Sequence, residues 1–189
     1  MDDKNAILRL KQGDIKGLES LVQHYQAQAV QAAYLILYDR SQAEDIVQAA
    51  FVKVAERIHQ FDSTRPFAPW FYRIVVNDAL KQAGKQKHVI SIDESLDEPT
   101  QKLAQMLVDS DPNPEQMVEQ IEIRQLILKA IQSLPPDQRA VVVMRYYLEL
   151  SERDMSTRMG RPLSTIKWWL RDGRNRLRSL METTLGGME

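Results

Sequence analysis

The stretch from Ser151 to Met181 constrains the fold more than any other part of the sequence. It predicts a short helix, a tight turn at Gly160-Arg161-Pro162 and a longer helix that begins near Ser164. A glycine-containing turn of three or four residues is typical of helix-turn-helix units, where it sets two helices at a steep angle. Ser151, with an acidic residue three positions later, resembles a capping box, and Ser164 can cap the second helix.

The second predicted helix has two unlike faces on a 3.6-residue wheel. One face carries Ile166, Leu170, Gly173 and Leu177. The other carries Lys167, Arg171, Asn175 and Arg178. If the first face packs, the second is free to meet phosphates and base edges in a major groove. A basic outer face is also common as plain solvated surface, so the helix alone leaves both interpretations open.

Composition excludes several function classes. The 189 residues suffice for one medium domain or two small ones. No apolar run approaches the ~18–20 residues of a membrane span, and the N-terminus lacks the form of a signal peptide. There is no cysteine, the three histidines (His24, His59 and His88) lack metal-ligand spacing, and no phosphate loop or nucleophile–base motif appears. We therefore expect a cytoplasmic protein that is not an enzyme and needs no cofactor or metal.

The net charge of −1 hides an uneven distribution. Residues 1–90 carry 12 Lys/Arg against 10 Asp/Glu, and residues 121–189 carry 12 against 8. Between them, residues 91–120 carry 1 against 8. Two basic segments thus flank an acidic connector, an asymmetry that the total conceals.

The N-terminal half shows helical periodicity from Asn5 to Ala83. One long helix is predicted to bury Leu18, Leu21, Val22, Tyr25, Ala29, Ala32, Ala33, Ile36 and Leu37. After a break at Asp39-Arg40-Ser41, the capping-box pattern Ser41-Gln42-Ala43-Glu44 opens a second helix. Its inward residues are predicted to be Ile46, Val47, Ala50, Phe51, Val54 and Ile58.

A proline-containing loop at Phe61–Pro69 is predicted to lead into a helix from Trp70 to about Lys87. Aromatic residues are dense here, and a basic track runs beside them. Aromatics beside a basic track hold unpaired nucleic-acid strands by stacking, but they also fill cores between helices. We expect Phe71 and Trp70 to fill the core. Phe67, flanked by prolines, is the better candidate for exposure.

Two segments resemble region 2 of the extracytoplasmic-function sigma factors: AEDIVQAAFVKV at Ala43–Val54 and FDSTRPFAPWFYRIVVN at Phe61–Asn77. LPPDQRAVVVMRYYLELS at Leu134–Ser151, followed by the helix-turn-helix with STIK at Ser164–Lys167, resembles their region 4. The resemblance implies an all-α chain of two small helical domains joined by a flexible acidic linker. The implied boundaries are 1–88 for the region-2-like domain, 89–112 for the linker and 113–189 for the region-4-like domain.

The members of this family are bacterial transcription initiation factors, which bind core RNA polymerase and direct it to promoters. The resemblance implies that the first domain grips the polymerase β′ coiled-coil through Asp45 and Gln48. Glu44 and Lys53 are expected on the same side of that helix, away from its apolar stripe. All four side chains are equally compatible with an ordinary solvated surface.

The resemblance also implies that the loop and the following helix open the promoter −10 element and capture a non-template base. The matching positions are Arg65, Phe67, Trp70, Asn77, Lys81 and Lys85. Trp70 is expected to support the loop from inside as much as to touch a base. The family usually has an acid four residues after Asn77 and an arginine further on, where this chain has Lys81 and Gly84. The −10 preference of the family is therefore not carried over.

Region 4 in this family binds the −35 element as duplex DNA and contacts the polymerase β flap. The matching positions here are Ser164, Thr165, Lys167, Trp168, Arg171, Arg174 and Arg178. The adjacent tryptophans depart from the family's small or charged residues. Trp169 is expected to pack, whereas Trp168 points outward, toward a thymine methyl group, a protein partner or an appended segment.

Three further expectations concern regulation and alternatives. The acidic linker is either a solubilising tether or a nucleic-acid mimic inside the polymerase channels. Because nothing after Met181 resembles a sensory domain, control is expected from an anti-sigma factor. Two other classes remain: a dimeric helix-turn-helix regulator that works without polymerase, and a polymerase-binding module that has lost promoter opening.

Overall fold

The computed structural model describes residues 3–85 and 127–185. In the second range the backbone is described throughout and the side chains as far as Ser179. Within these ranges all regular structure is helical and there is no strand, which confirms the all-α prediction. The chain divides into two compact units, Met1–Ala83 and Gly84–Glu189. The acidic linker 89–112, its two boundaries and the start of the region-4-like domain lie outside the described residues.

The N-terminal unit is built around one central helix. It contains α1 (Asp3–Lys11), α2 (Lys16–Leu37), α3 (Arg40–Arg57), a short 3₁₀ turn (Ile58–Gln60) and α4 (Phe67–Ala83). Helix α2 packs against α1, α3 and α4. The predicted stripe of α2 is buried except at Leu18 and Val22, and that of α3 except at Ile46, all of which are half-buried. These stripes meet an aromatic cluster in which Phe51 stacks on Phe71 at 4.5 Å between ring centroids.

Two helix boundaries differ from the sequence predictions. Helix α3 is capped by Asp39, whose carboxylate accepts a hydrogen bond from the Gln42 amide at 2.9 Å, so Ser41 lies inside the helix. Helix α4 begins at Phe67 and ends at Ala83, not at Trp70 and about Lys87. Pro69 is tolerated in its first turn because the amide that proline lacks has no acceptor there.

The C-terminal unit packs several short helices beneath one long one. Residues 127–132 are helical (α5), and α6 (Pro136–Val142) continues as a π-helical turn (Val143–Tyr147). Helices α7 (Glu152–Met159) and α8 (Leu163–Leu185) follow. The core includes Ile127, Ile131, Leu134, Val141, Met144, Met155, Ile166 and Leu170. Helix α6 approaches α8 closely at Gly173, where a Cβ atom would lie 3.3 Å from Cγ2 of Val142.

Buried Arg139 closes the end of α5. Its guanidinium donates hydrogen bonds to the carbonyl oxygens of Gln132 (2.7 Å) and Leu134 (3.0 Å). The carbonyls at a helix C-terminus have no intrahelical donor, and a cation also suits the negative end of the helix dipole. Arg139 therefore stabilises the turn between α5 and α6 from inside the unit.

Gly17 sets the distance between α1 and α2. A Cβ atom at this position would lie 2.3 Å from the Ala6 carbonyl oxygen and 2.7 Å from the Leu10 amide nitrogen. Alanine normally stabilises a helix by about 1 kcal/mol relative to glycine. We expect Gly17→Ala instead to lower the free energy of unfolding by about 1–3 kcal/mol, as overpacking does.

This prediction is checked by urea unfolding of the full chain, followed by circular dichroism. Hydrogen exchange should become faster in α1, because α1 must move away from α2. A stabilised variant with unchanged exchange in α1 would contradict the close helix approach.

Candidate nucleic-acid and protein interfaces

The helix-turn-helix predicted from the sequence is present. Ser151 is the N-cap of α7: its hydroxyl accepts from the Asp154 amide (3.1 Å) and donates to the Asp154 carboxylate (2.6 Å). That hydroxyl, together with the Arg158 guanidinium at 3.2 Å, holds the pKa of Asp154 below its usual value. Helix α7 ends at Met159 and is capped by Gly160, where φ is +62°, a conformation that favours glycine.

Helix α8 begins one residue earlier than predicted. Leu163 is its first residue, and the amides of Thr165 and Ile166 donate to the carbonyl oxygen of Pro162. Ser164 therefore lies within the first turn and is not the cap. Its exposed side chain still stands at the N-terminal end of the helix.

The two faces of α8 are as predicted. Ile166, Leu170, Gly173 and Leu177 are buried. The opposite side is exposed and carries Ser164, Lys167, Trp168, Arg171, Arg174, Asn175 and Arg178. Its four cations form no ion pair with any part of the chain that the structure describes. This row, the α8 outer face, therefore presents charges that a polyanion can neutralise.

Asp172 anchors the flank of the α8 outer face. Its carboxylate accepts a hydrogen bond from the buried Gln138 amide of α6 (2.8 Å) and another from Arg176, one turn further along α8 (2.9 Å). This arrangement fixes the rotation of α8 against α6. Arg176 is thereby held by an acid, unlike the four cations of the outer face.

The adjacent tryptophans differ as the helical wheel predicts. Trp168 is 50% exposed, in the middle of the α8 outer face. Trp169 is half-buried, and the Arg161 guanidinium lies over its ring at 5.9 Å from the centroid. Trp169 therefore helps to hold the turn, whereas Trp168 has an exposed indole.

Helix α3 presents a second exposed row. Glu44, Asp45 and Gln48 are exposed as predicted, and Ala49 and Val52 lie in the same row. Val52 is 57% exposed. The row, which we call the α3 outer face, thus combines an exposed aliphatic side chain with polar ones, an arrangement suited to a protein partner.

The prediction that Lys53 lies on the same side of α3 as Asp45 and Gln48 was wrong. Its side chain is half-buried, and its ammonium lies 2.5 Å from the carboxylate of Asp78 on α4. Lys53 follows buried Ala50 by three residues, so the helical repeat turns it toward α4 and away from the α3 outer face. Its role here is to join two helices.

The loop before α4 is held by hydrogen bonds. Lys11 of α1 donates to the carbonyl oxygen of Phe61 (2.7 Å) and to the hydroxyl of Ser63 (2.9 Å). Asp62 accepts from the hydroxyl and amide of Thr64, and these bonds, with Arg65 nearby, keep the pKa of Asp62 below its usual value. The exposed part of the loop, residues 62–66, therefore has a defined shape.

The prediction that Phe67 is exposed was wrong. Phe67 is 2% exposed, and its ring lies 5.2–5.8 Å from those of Tyr25, Phe61, Trp70 and Phe71. The reason is that α4 starts at Phe67, which places it on the buried row that continues with Phe71. In this conformation Phe67 supports the loop and has no face available for a base.

An outward row follows along α4. Trp70, Arg73, Asn77 and Lys81 recur at intervals of three or four residues, and none is fully buried. Trp70 is half-buried against Phe61, at 4.9 Å between ring centroids. Arg65 is exposed in the loop, and Lys85 is exposed beyond the end of the helix. The loop and this row together form the α4 surface.

Two residues at these surfaces, Val52 and Lys11, were missed from the sequence. Arg73 belongs to the basic track beside the aromatic residues but was not assigned to the −10 site, although it lies four positions before Asn77. Val52 stands among polar positions of its helix, which is also a readable signal. Lys11 lies 50 residues from the carbonyl that it binds, and no local pattern indicates that contact.

In the part of the chain that the structure describes, no helix combines the length and apolarity needed to cross a bilayer. No group of three or more acidic, histidine or cysteine side chains is placed to hold a metal ion in that same part.

Two family models match the chain in tandem. The Sigma-70 region 2 model matches residues 21–89, and the Sigma-70 region 4 model matches residues 124–177. The α3 outer face and the whole α4 surface fall in the first match. The helix-turn-helix falls in the second, apart from the last positions of α8.

Similar proteins agree with these matches. The ECF RNA polymerase sigma factor SigW of Bacillus subtilis is 31% identical over 177 residues, which cover 93% of this chain and 94% of that protein. Two solved structures share the fold, each with a TM-score of 0.67. One is CnrH in complex with the cytosolic domain of CnrY, with 17% identity over 96% of this chain and 97% of that one. The other is the Bartonella quintana sigma factor RpoE with the anti-sigma factor NepR, with 19% identity over 88% of this chain and 98% of that one.

The order of the two regions, the all-helical fold and the nearly full-length similarity lead to one family. The chain belongs to the extracytoplasmic-function sigma factors of the sigma-70 family, the transcription initiation factors that direct RNA polymerase to promoters.

Proposed function

We propose that this chain uses three separate helix faces to bind core RNA polymerase, read a −35 element and open a −10 element. The observation that carries the proposal is the presence of both matched regions in one chain, at 21–89 and 124–177. RNA synthesis itself belongs to the polymerase, so the chain is proposed to be a non-catalytic factor that works in the cytoplasm. We also propose the domain boundaries 1–88, 89–112 and 113–189, with the acidic linker entering the basic polymerase channels.

The α3 outer face is the proposed binding surface for the β′ coiled-coil. Asp45 and Gln48 offer a carboxylate and an amide, Glu44 adds a second acid, and Val52 offers apolar area for burial. Interfaces commonly combine an apolar centre with polar surroundings. Lys53 is left out of this surface because its ammonium is engaged by Asp78.

The α4 surface is the proposed −10 site. Arg65, Arg73, Lys81 and Lys85 are cations that can track the strand backbone, and Asn77 offers an amide for a base edge. Trp70 is proposed to support an extruded base at the edge of its half-buried ring. Extruding a base costs a few kcal/mol, which a pocket and stacking can offset. Phe67 contributes by holding the loop from inside.

The α8 outer face is the proposed −35 site, and the C-terminal unit is also proposed to contact the β flap. Ser164, Thr165, Lys167, Trp168 and Arg171 lie in the first three turns, the part of a recognition helix that reaches base edges. Arg174 and Arg178 lie further along and are proposed to bind phosphates.

Control by a protein partner is also proposed. CnrH and the Bartonella quintana sigma factor RpoE were each solved as a complex, the first with the cytosolic domain of CnrY and the second with the anti-sigma factor NepR. An anti-sigma factor that covers the α3 outer face would exclude the polymerase. This surface therefore offers one place at which regulation and polymerase binding compete.

The polymerase surface is tested by the double variant Asp45→Ala/Gln48→Ala. We expect its affinity for bacterial core RNA polymerase to fall at least about tenfold, because two central polar contacts are lost. Fluorescence anisotropy of the labelled full chain measures the affinity. Glu19→Ala/Gln26→Ala, which removes the same chemical groups from exposed positions on α2, should bind normally.

The outcomes separate the competing classes. No polymerase binding by the wild-type chain, together with specific duplex binding as a dimer, would identify a free-standing regulator. Polymerase binding without reactivity of −10 thymines to permanganate would identify a module that has lost promoter opening. Equal binding by both double variants would remove the α3 outer face from the proposal.

The phosphate contacts of α8 are tested by the salt dependence of binding. Each phosphate neutralised contributes about −0.9 to the slope of log affinity against log salt. We therefore expect Arg174→Ala and Arg178→Ala each to reduce the slope by about 0.9 for the polymerase-bound chain on a promoter duplex. Arg176→Ala is the matched control, because Asp172 already holds that guanidinium. The assignment would be contradicted if the control also reduced the slope, or if the slope of the two test variants stayed the same as that of the wild type.

The −10 loop is tested through Lys11, which holds the loop without belonging to its exposed surface. We expect Lys11→Met to reduce promoter opening several-fold, measured by permanganate reactivity of −10 thymines, while polymerase affinity stays unchanged. Lys11→Arg should restore part of the opening because it can still donate to the Phe61 carbonyl. Lys16→Met, at an exposed position nearby, is the control. Normal opening by Lys11→Met would show that the loop needs no anchoring from α1.

A further inference from the structure

Trp168 is an apolar side chain in an unusual place. Four large hydrophobic residues are exposed among those that the structure describes, and Trp168 is the one in the C-terminal unit. It lies on the side of α8 opposite buried Ile166 and Leu170, so its side chain is not part of the core of this unit. An indole left 50% exposed in water can gain favourable free energy by losing that exposure on binding.

The surroundings of Trp168 favour nucleic acid over protein. Ser164 lies one turn before it, Arg171 nearly one turn after it, and Lys167 adjacent to it. Neither Lys167 nor Arg171 is ion-paired within the described part of the chain. An apolar protein pocket that received the indole would have to desolvate both cations, whereas a phosphate-lined groove would neutralise them.

The position along the helix also favours contact with bases. Trp168 is the sixth residue of α8, so its Cα lies roughly 7–8 Å along the axis from the first residue. The first turns of a recognition helix are the part that approaches base edges in the major groove. Residues further along, such as Arg174 and Arg178, are better placed for the backbone.

The chemistry of the major groove then identifies the contact. Guanine, cytosine and adenine present hydrogen-bond donors and acceptors there, and thymine adds a C5-methyl group. That methyl group is the apolar feature of the groove. We propose that the indole of Trp168 packs on the C5-methyl group of one thymine in the −35 element, which makes Trp168 a specificity-determining residue. This inference rests on the proposed −35 role of α8.

The test replaces single methyl groups in the DNA. A −35 duplex is first enriched from a randomised library by the full chain bound to core RNA polymerase. Each thymine of the enriched element is then replaced in turn by deoxyuridine, which lacks the C5-methyl group and keeps the same pairing edge. Competition binding at one fixed salt concentration gives the affinity for each duplex.

We expect deoxyuridine at one position to weaken wild-type binding about fourfold. This is the ratio of affinities that corresponds to the free energy of burying one methyl group. Trp168→Ala should bind the thymine and deoxyuridine duplexes equally. Its affinity for the thymine duplex should be about fourfold lower than that of the wild type. Trp168→Phe should retain part of the discrimination. Trp169→Phe, which changes the neighbouring half-buried ring, should discriminate as the wild type does.

The possible failures are distinguishable. If the wild type enriches a −35 duplex but discriminates at no thymine, or if Trp168→Ala still discriminates, the methyl contact is wrong while the −35 role stands. If Trp168→Ala binds DNA normally but core polymerase weakly, the indole contacts protein and the proposal is overturned. If no duplex is enriched, both the methyl contact and the −35 role fail.

Discussion

A helix at the surface of this protein buries one stripe of side chains, and that constraint determines which of its faces can carry function. Helices α3 and α8 each pack one side against the core of their own unit and leave the opposite row in water. The buried stripe fixes the rotation of the helix, so the exposed row is positioned without any contact of its own. Gly173 strengthens this effect for α8, because its missing side chain lets α6 approach and limits how far α8 can turn.

Helical periodicity made these faces predictable from the sequence. Once Ile166 and Leu170 are placed inward, the 3.6-residue repeat leaves Trp168 and Arg171 outward, as the structure has them. The turn between α7 and α8 was equally readable, because a glycine in the left-handed conformation ends one helix and a proline precedes the next. Local rules therefore determine much of the C-terminal surface.

The predictions that failed depended on contacts distant in sequence or on the exact start of a helix. Lys53 satisfied the local pattern for an exposed residue, but Asp78 on another helix draws it inward. Phe67 seemed to belong to a loop because two prolines flank it, yet Pro69 is accepted inside the first turn of α4. Starting α4 three residues earlier moves Phe67 onto a buried row, which reverses its exposure.

The burial of Phe67 clarifies how an exposed loop can be specific. A loop that opened DNA from a disordered state would lose conformational entropy on binding, which weakens the complex. Here the ring of Phe67 packs against those of Tyr25 and Phe61. Lys11 holds the loop backbone by a hydrogen bond to the Phe61 carbonyl oxygen. The exposed Arg65 is therefore carried on a segment whose shape is already set by the core. The same logic applies to Trp168, whose direction is set by buried neighbours on its own helix. In both units the residues that contact the core determine what the exposed residues can recognise.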